Sequence, residues 1–327
     1  MTRPYFENSP LWIKLALLIG ITLLGLIVIP ALLSGVFYLF FDFSPNDLNS
    51  VNQIIEEVTQ MSRNTGLSPD EAAKYGYDLL PEYITNYQNL EYAKWFLILS
   101  NQLSFLISGI VFLLILYKKP LQIISPAKAN GKMYLLATAL FFFVLPAVGL
   151  IGEWNRNIYI PWENLQNMLL DSEIKIGIYN STFTDIHSVG ELLLMIFFIG
   201  IVTAVAEELL FRAGLQNILL QTKMNPHVAI WLGAAIFSLI HFQFYGFFVR
   251  LILGVLLGYL YYWSKDIRTS IIAHALNNSL MLIVAYSMGN ANEEIPAADN
   301  YFILIAFSAM AVAAIWQINR IKPKENI

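Results

Sequence analysis

The 327-residue chain contains no cysteine. Disulfide bonds, thiolate metal sites and cysteine nucleophiles are therefore excluded. Charged residues are also scarce, at 13% of the chain against roughly 25% in an average soluble protein. The net charge of -4 and the lack of any run of five basic residues argue against a nucleic-acid partner.

Several catalytic sequence patterns are missing as well. The chain has no His-Glu-x-x-His, no Gly-x-Ser-x-Gly or Gly-x-Ser-Gly, no Gly-x-Gly-Asp and no Walker sequence. The usual zinc-peptidase, serine-hydrolase and ATP-driven classes therefore lose the motifs that identify them.

Apolar residues, in contrast, make up 57% of the chain and lie in long blocks between polar loops. Blocks of this length predict an all-α, polytopic membrane protein of about eight transmembrane helices, organised as one membrane domain. The predicted spans are residues 11–41, 95–117, 134–151, 190–211, 228–246, 247–263, 270–288 and 301–318.

Lysine and arginine predict the orientation of these spans. With the N-terminus in the cytoplasm, thirteen of the 19 basic residues fall on the cytoplasmic side, as the positive-inside rule requires. The C-terminus is then cytoplasmic too. The six basic residues left on the outer side are Arg63, Lys74, Lys94, Arg156, Lys175 and Arg250.

Two long outer loops, residues 42–94 and 152–189, follow from this orientation. Residues 68–71 (Ser-Pro-Asp-Glu) predict a helix start, with a serine cap, proline at the first position and glutamate as the reciprocal capping partner. Otherwise we interpret both loops as solvated connectors with aromatic anchors at the membrane surface.

An acid pair, Glu207 and Glu208, lies at the end of an apolar run. An ionised carboxylate costs about 2.5–3.5 kcal/mol at the centre of a membrane helix and less toward its end. Arg212 follows Glu208 by four residues, the favourable order for an ion pair on one helical face. Glu207 lies about 100° around the helix, which leaves it available as a general base. The alternative is an ion pair that only tethers a helix end.

His241 lies on the next apolar segment, and a helical hairpin would bring it to the depth of the acids. Phe237 precedes it by one helical turn on the same face. A lone histidine on an apolar helix usually has a packing role, but opposite two glutamates we interpret His241 as functional. His187, in an acidic outer loop, and His227, at a cytoplasmic turn, are weaker candidates.

His274 and Asn278 form a third polar group, again four residues apart on one helical face. An imidazole and a carboxamide that project together can donate hydrogen bonds to a developing oxyanion. Asn277 is the neighbouring alternative to Asn278. The competing interpretation is a polar contact between helices, worth about 0.6–2 kcal/mol in membranes.

At these residues the chain resembles a known family. The segments Glu207-Glu208-Leu-Leu-Phe-Arg212, Phe237-Ser-Leu-Ile-His241 and His274-Ala-Leu-Asn-Asn278 are similar to the three motifs of the CPBP family of intramembrane proteases. That family joins type II CAAX prenyl endopeptidases to bacterial (Abi) proteins linked with bacteriocin processing and self-immunity. The resemblance covers roughly residues 190–285.

The resemblance implies a division of the chain and a role for each motif residue. The predicted parts are 1–189 (helices and outer loops), 190–288 (catalytic core) and 289–327 (last helix and tail). Glu207 would be the general base, and His241 would be its partner on the water. His274 and Asn278 would face the oxyanion. Glu208 completes the implied catalytic set, and Arg212 and Phe237 would be orienting residues. Glu207, His241 and His274 could also ligate Zn²⁺ and leave a position for water; the same residues acting without metal is the alternative.

The sequence thus predicts an intramembrane endopeptidase that hydrolyses a peptide bond in a membrane-associated protein or peptide. We expect it in the lipid bilayer of a bacterial plasma membrane, with its pocket nearer the cytoplasmic face. Two alternatives stay open. One is a non-catalytic immunity or scaffold protein with the same fold, and the other is a proton-coupled transporter, because buried glutamate and histidine also form proton relays.

Overall fold

The computed structural model describes residues 6–84, 87–125, 128–222, 224–288 and 301–322. Over these residues all regular structure is helical, which confirms the predicted all-α class. The helices are α1 (Leu11–Phe41), α2 (Pro45–Arg63), α3 (Pro69–Tyr83), α4 (Tyr87–Leu116), α5 (Pro120–Ile124), α6 (Gly131–Arg156), α7 (Glu163–Thr184), α8 (Val189–Leu220), α9 (Pro226–Leu239), α10 (Phe247–Ser264), α11 (Ile267–Met288) and α12 (Tyr301–Ile321).

Seven of the described helices are long and apolar enough to cross a membrane: α1, α4, α6, α8, α10, α11 and α12. The chain is therefore a polytopic membrane protein, as its composition predicts. The orientation of the termini and the division into three parts stay predictions. Residues 289–300 and 323–327, which belong to the third predicted part, lie outside the described residues.

The predicted span 228–246 is wrong at its end. Helix α9 begins at Pro226 and stops at Leu239 after 14 residues. The backbone then turns, and Phe242 adopts the left-handed conformation with a φ of 52°. A helix of this length is about 21 Å long, which is short of the roughly 30 Å thickness of a hydrocarbon core.

Helix α8 is longer than the predicted span 190–211 and continues to Leu220. Its last turns stay helical because their polar side chains bond to a neighbouring helix. The Gln216 Nε2 atom, for example, donates a hydrogen bond of 3.1 Å to the Gly258 carbonyl oxygen of α10. Polar contacts of this kind replace the water that an exposed amide would need.

Helix α8 also runs through the largest of the buried clusters. Its residues Leu210, Ala213 and Leu215 are buried together with Phe112 of α4 and Phe237 of α9. Between membrane helices, close packing supplies the attraction, because lipid tails are as apolar as these side chains. The helix with the acid pair is therefore held by packing from several sides.

Small residues let α9 and α10 approach each other closely. A Cβ atom added to Gly258 would lie 2.8 Å from the Ile230 Cγ2 atom, and one added to Gly254 would lie 3.2 Å from the Ala234 Cβ atom. The first distance is shorter than a non-bonded carbon–carbon contact, so any larger residue at position 258 would force a neighbour to shift. This close pairing brings the carbonyl groups of α10 within reach of side chains on α8.

The two predicted outer loops fold together into a unit that we call the cap, made of α2, α3 and α7. Helix α3 begins as residues 68–71 predict: the Ser68 side chain accepts a hydrogen bond from the Glu71 N–H, and the Glu71 carboxylate accepts one from the Ser68 N–H. Helix α2 begins with the same reciprocal arrangement at Ser44 and Asp47.

The interpretation of these loops as solvated connectors is wrong, because the cap helices are buried in an apolar core that they share with Phe37 of α1 and Phe96 of α4. Ile55 of α2, Ala73 of α3 and Ile178 of α7 are almost completely buried in one cluster. At Gly177 a Cβ atom would lie 2.5 Å from the Ala73 Cβ atom, so α3 and α7 touch along their backbones. The apolar residues that build this core are spread over two loops, and neither loop shows it alone.

A buried amine fixes the start of α8. The side chain of Lys94 in α4, a residue predicted on the outer side of the membrane, is fully buried. Its Nζ atom lies 2.8 Å from the Glu191 carboxylate and donates a hydrogen bond of 3.0 Å to the Asp185 carbonyl oxygen. The pair links α4 to the first turn of α8 and so fixes where α8 begins relative to α4.

The turn between α10 and α11 depends on Asp266, which is fully buried. Its Oδ2 atom accepts hydrogen bonds from the Ala129 N–H (3.0 Å), the Tyr134 hydroxyl (2.7 Å) and Arg268 Nη2 (2.7 Å). Burial by itself would raise the pKa of this carboxyl, but the bonds from Arg268 and Tyr134 outweigh burial and hold the pKa well below its usual value. The contacts fix the start of α11 against α6.

Candidate active site

The acid pair lies where the winding of α8 changes. The segments Ile196–Val202 and Leu209–Gln216 are wound as π-helix, and between them Thr203–Glu208 is ordinary α-helix. Such wide turns are rare and occur mostly at functional sites, since they alter which side chains face a neighbour. Glu207 and Glu208 occupy the last two positions before the second π segment.

Glu208 forms the ion pair that its spacing predicts. Its carboxylate Oε1 atom lies 2.9 Å from Arg212 Nη1, and both side chains are shielded from solvent. Arg212 Nη2 also donates a hydrogen bond of 3.0 Å to the Gly254 carbonyl oxygen, and the guanidinium carbon lies 5.0 Å from the centre of the Phe237 ring. The arginine thus joins α8 to α9 and α10 while it balances the charge of Glu208.

His274 of α11 contacts both members of the acid pair. Its Nδ1 atom is 3.0 Å from Glu208 Oε1, and its Nε2 atom is 3.6 Å from Glu207 Oε2. Because a carboxylate paired with arginine can only accept, Nδ1 carries the hydrogen of this bond. In the neutral ring Nε2 then has a lone pair instead of the N–H that the sequence suggested for an oxyanion.

His241 lies in the turn after α9 and not on a helix, which corrects the sequence prediction. Its Nδ1 atom is 2.8 Å from the Phe237 carbonyl oxygen, so Nδ1 donates and Nε2 has the lone pair. The next residue, Phe242, has a left-handed backbone that costs on the order of 1–3 kcal/mol in a non-glycine residue. The turn that presents His241 is therefore strained and needs contacts that hold it.

Phe237 packs between the two imidazole rings. Its ring centre is 5.0 Å from that of His241 and 6.4 Å from that of His274, both in edge-to-face arrangements. Phe211 closes the other side at 5.1 Å. Edge-to-face contacts limit the rotation of both rings, and the orienting role of Phe237 stays a prediction.

These side chains line one cavity of about 590 Å³. Its polar wall comprises Thr203, Glu207, His241, Gln243, Arg250, His274, Asn277 and Asn278, together with two residues of α7. Asn278 Nδ2 donates a hydrogen bond of 3.4 Å to the Ile199 carbonyl oxygen, and Asn277 Nδ2 donates one of 3.4 Å to Asn278 Oδ1. Both amides therefore stay candidates for contact with a substrate.

The cap supplies one side of this cavity. Ile176, Asn180, Phe183 and Thr184 of α7 all line it. The sequence placed the pocket nearer the predicted cytoplasmic ends of the helices, whereas the cavity extends to a helix of the second predicted outer loop. No local pattern in that loop predicts the contact between α7 and the cavity, because this contact joins segments far apart in the chain.

Arg250, which the sequence predicts only as one of six basic residues on the outer side of the membrane, also lines the cavity. Its sequence context could have identified it, because an ionisable residue inside an apolar run is rare and usually has a partner or a function, as at the acid pair. The two weaker histidine candidates lie elsewhere. His187 Nε2 is 3.3 Å from Asp185, and His227 Nδ1 is 2.6 Å from the Tyr259 hydroxyl; neither histidine lines the cavity.

The predicted zinc ligands fit a metal only in part. His241 and His274 each use Nδ1 for a bond within the protein, an arrangement that also orients metal-binding imidazoles. In the described part of the chain, however, no three His, Asp or Glu side chains are close enough together to hold one ion. Glu207, His241 and His274 do not form a zinc site in this arrangement, and zinc binding stays a prediction.

Fold and site together define a multi-pass helical membrane protein with a carboxylate–imidazole–amide cavity between its helices. Residues 189–280, a little over a quarter of the chain, match the family model described as "Type II CAAX prenyl endopeptidase Rce1-like". The match confirms the resemblance found in the sequence and supports, at the level of the family, a CAAX-type intramembrane protease. No curated protein and no solved structure matches the chain significantly.

Proposed function

We propose that the protein is an intramembrane endopeptidase that hydrolyses a peptide bond in a membrane-associated protein or peptide. One observation carries the proposal: a single cavity collects Glu207, His241, His274 and Asn278 from three separate segments. Acyl transfer to water needs a base, a site for the water and donors for an oxyanion, and these residue types can supply all three.

Activation of the water falls to Glu207 and His241. The Glu207 carboxylate and the His241 Nε2 lone pair are both hydrogen-bond acceptors on the cavity wall. A water that donates one hydrogen to each of them presents its own lone pair to the carbonyl carbon. Glu207 then accepts a proton as the oxygen–carbon bond forms.

The tetrahedral intermediate needs donors for its oxygen and a proton for its leaving nitrogen. The Asn277 and Asn278 side-chain amides lie at the cavity wall and can donate to this oxygen. His274 becomes a donor at Nε2 only once its ring holds a second proton, because Nδ1 already donates to Glu208. Proton transfer from Glu207 to the nitrogen as the carbon–nitrogen bond breaks restores the carboxylate and releases two peptides.

The partners are the lipid bilayer and a membrane-associated substrate, and the proposed location is the bacterial plasma membrane. Seven apolar helices support the integral membrane location.

The decisive experiment compares protein termini in membranes by mass spectrometry. Cells that lack the protein are complemented with wild type, Glu207→Gln or Glu153→Gln at matched expression. Glutamine keeps the size of Glu207 but cannot act as base, so cleavage should fall by about 10²–10⁴-fold. Glu153 lies exposed near the end of α6 and serves as the matched control.

New termini that appear with wild type and Glu153→Gln, but not with Glu207→Gln, would support the proposal and name the substrate. Identical termini in all cultures, with Glu207→Gln restoring every phenotype, would refute it in favour of the scaffold. Proton flux across the membrane that Glu207→Gln abolishes, without new termini, would favour the transporter instead.

A further inference from the structure

A polar chain of three side chains joins the cap to the turn that presents His241. Gln243 Nε2 donates a hydrogen bond of 2.8 Å to Glu173 Oε1 of α7. On its other side, Arg250 Nη1 of α10 donates one of 2.6 Å to Gln243 Oε1, and Arg250 Nη2 donates one of 2.7 Å to the Gln243 carbonyl oxygen. We call Glu173, Gln243 and Arg250 the clamp.

The clamp holds the backbone segment between α9 and α10, which is helical only at its margins: the Ile240 N–H donates to the Ile236 carbonyl oxygen at 3.1 Å, and the Arg250 N–H donates to the Gly246 carbonyl oxygen at 3.1 Å. Residues 240–246 form an irregular turn, and Phe242 within it is left-handed. A Cβ atom on Gly246 would lie 2.5 Å from Arg250 Nη1, so the guanidinium rests directly against the turn. A larger residue at position 246 would displace the guanidinium from this position, in which it holds the Gln243 carbonyl group.

The two charges in the clamp determine the orientation of the Gln243 side-chain amide. The positive guanidinium meets the oxygen of the Gln243 amide, and the negative Glu173 carboxylate meets its NH₂ group. Only one orientation of the amide satisfies both neighbours, since its oxygen cannot donate and its nitrogen cannot accept. Gln243 thus connects a cation of the membrane part to an anion of the cap.

We propose that the clamp is the positioning device for His241 and that the cap, through Glu173, takes part in it. His241 is two residues from Gln243 in the same turn, and both line the cavity. Docking of α7 therefore sets the position of His241 as well as closing the cavity. This inference rests on the proposed function only for its kinetic consequence, because the hold on the turn is a structural statement.

The test exchanges the two ends of the hydrogen bond. Gln243→Glu places two carboxylates face to face and should release α7 from the turn, whereas Glu173→Gln removes the negative charge. In the double variant Glu173→Gln/Gln243→Glu, the amide now at position 173 donates and the carboxylate now at position 243 accepts from both neighbours, so the clamp re-forms. Lys175→Gln is the matched control, because Lys175 pairs with Glu56 at 2.6 Å on the same helix and does not touch the turn.

Hydrogen–deuterium exchange of residues 240–246 in the full-length protein reports on the turn without any substrate. Exchange should rise about ten-fold in Gln243→Glu, less in Glu173→Gln, and return close to wild type in the double variant. On a quenched peptide spanning the cleaved bond found by terminal-peptide comparison, kcat should fall about ten-fold in Gln243→Glu with little change in KM. The double variant should recover it, and Lys175→Gln should change neither quantity.

Three results overturn the inference: unchanged exchange in Gln243→Glu, failure of the double variant to restore exchange, or restored exchange with a kcat that never responded. Failure of the proposed function looks different. In that case no variant and no wild-type protein cleaves any peptide, while exchange still follows the predicted order, and the clamp survives as a structural link between cap and turn.

Discussion

Replacing Arg212 with glutamine removes the guanidinium that faces Glu208 in a place closed to solvent. The exposed fraction of the side chain is 3% for Arg212 and 0% for Glu208. Breaking a buried ion pair by removing one partner typically costs about 3–5 kcal/mol, because the remaining charge has neither water nor a counter-ion. The loss of the bond from Arg212 to the Gly254 carbonyl acts in the same direction.

The double variant Glu208→Gln/Arg212→Gln separates the contribution of charge to stability from the contribution of packing. It removes both charges and leaves two amides of similar volume, so most of the lost stability should return. Activity should not return, since a neutral amide at 208 holds His274 less firmly than the carboxylate does. The comparison of single and double variants therefore measures the penalty of an unpaired charge.

Thermal unfolding in detergent, followed by tryptophan fluorescence, gives the readout. In a chain of this length, 3–5 kcal/mol should lower Tm by roughly 5–15 °C in Arg212→Gln. The double variant should lie within about 5 °C of wild type if roughly 1–2 kcal/mol of the loss remains. A single variant with the Tm of wild type would refute the reasoning, as would a double variant that is less stable than Arg212→Gln.

Two further predictions concern the scaffold around the site. Gly258→Val should destabilise the protein by about 1–3 kcal/mol, because the Cβ at position 258 would lie 2.8 Å from Ile230. Gly233→Ala is the control in the same thermal assay. A Cβ at position 233 meets no atom within 4 Å, so this variant should be neutral or stabilising. Asp266→Asn should lower Tm near neutral pH; because the folded pKa of Asp266 is depressed, its contribution is complete above the unfolded value of 3.8 and fades as the pH falls below it. The Tm difference between wild type and Asp266→Asn should therefore shrink on acidification, and a difference that is constant with pH would contradict this account.

Features that depend on neighbours in the sequence were predictable. The Glu208–Arg212 pair follows from a spacing of four on one helix, and the start of α3 follows from Ser68 and its capping partner. The polar groups near residues 207, 241 and 274 were likewise predicted to meet, because ionisable residues in apolar helices seek one another. All of these are present in the structure.

Features that depend on distant parts of the chain were not predictable from local pattern. The tautomer of His274 follows from Glu208, which is 66 residues away. The early end of α9 is not marked by a proline or glycine directly after Leu239, since the next glycine, Gly246, lies seven residues further on. The cap core combines two loops separated by α4 and α6, so neither loop alone shows that it folds.

The short length of α9 accounts for several polar residues that otherwise look out of place in apolar helices. At about 21 Å, a 14-residue helix cannot cross the hydrocarbon core, so its end and the following turn lie within the membrane when its start lies at the edge. Irregular backbone at that depth is tolerated only inside protein or beside a water-filled cavity. Ser238 Oγ donates to the Phe247 carbonyl oxygen at 2.6 Å, and Asn155 Oδ1 accepts from the Phe248 N–H at 3.2 Å.

Together with the clamp, these bonds satisfy a turn that lipid could not solvate. The early end of α9 also creates space beside His241. A continuous helix would use its backbone carbonyls internally and leave little space beside His241, whereas the turn opens a cavity large enough for water and a peptide strand. Hydrolysis inside a membrane requires that water reach the scissile bond, and under the proposed function the turn after α9, held by polar side chains and covered by α7, provides the space for that water.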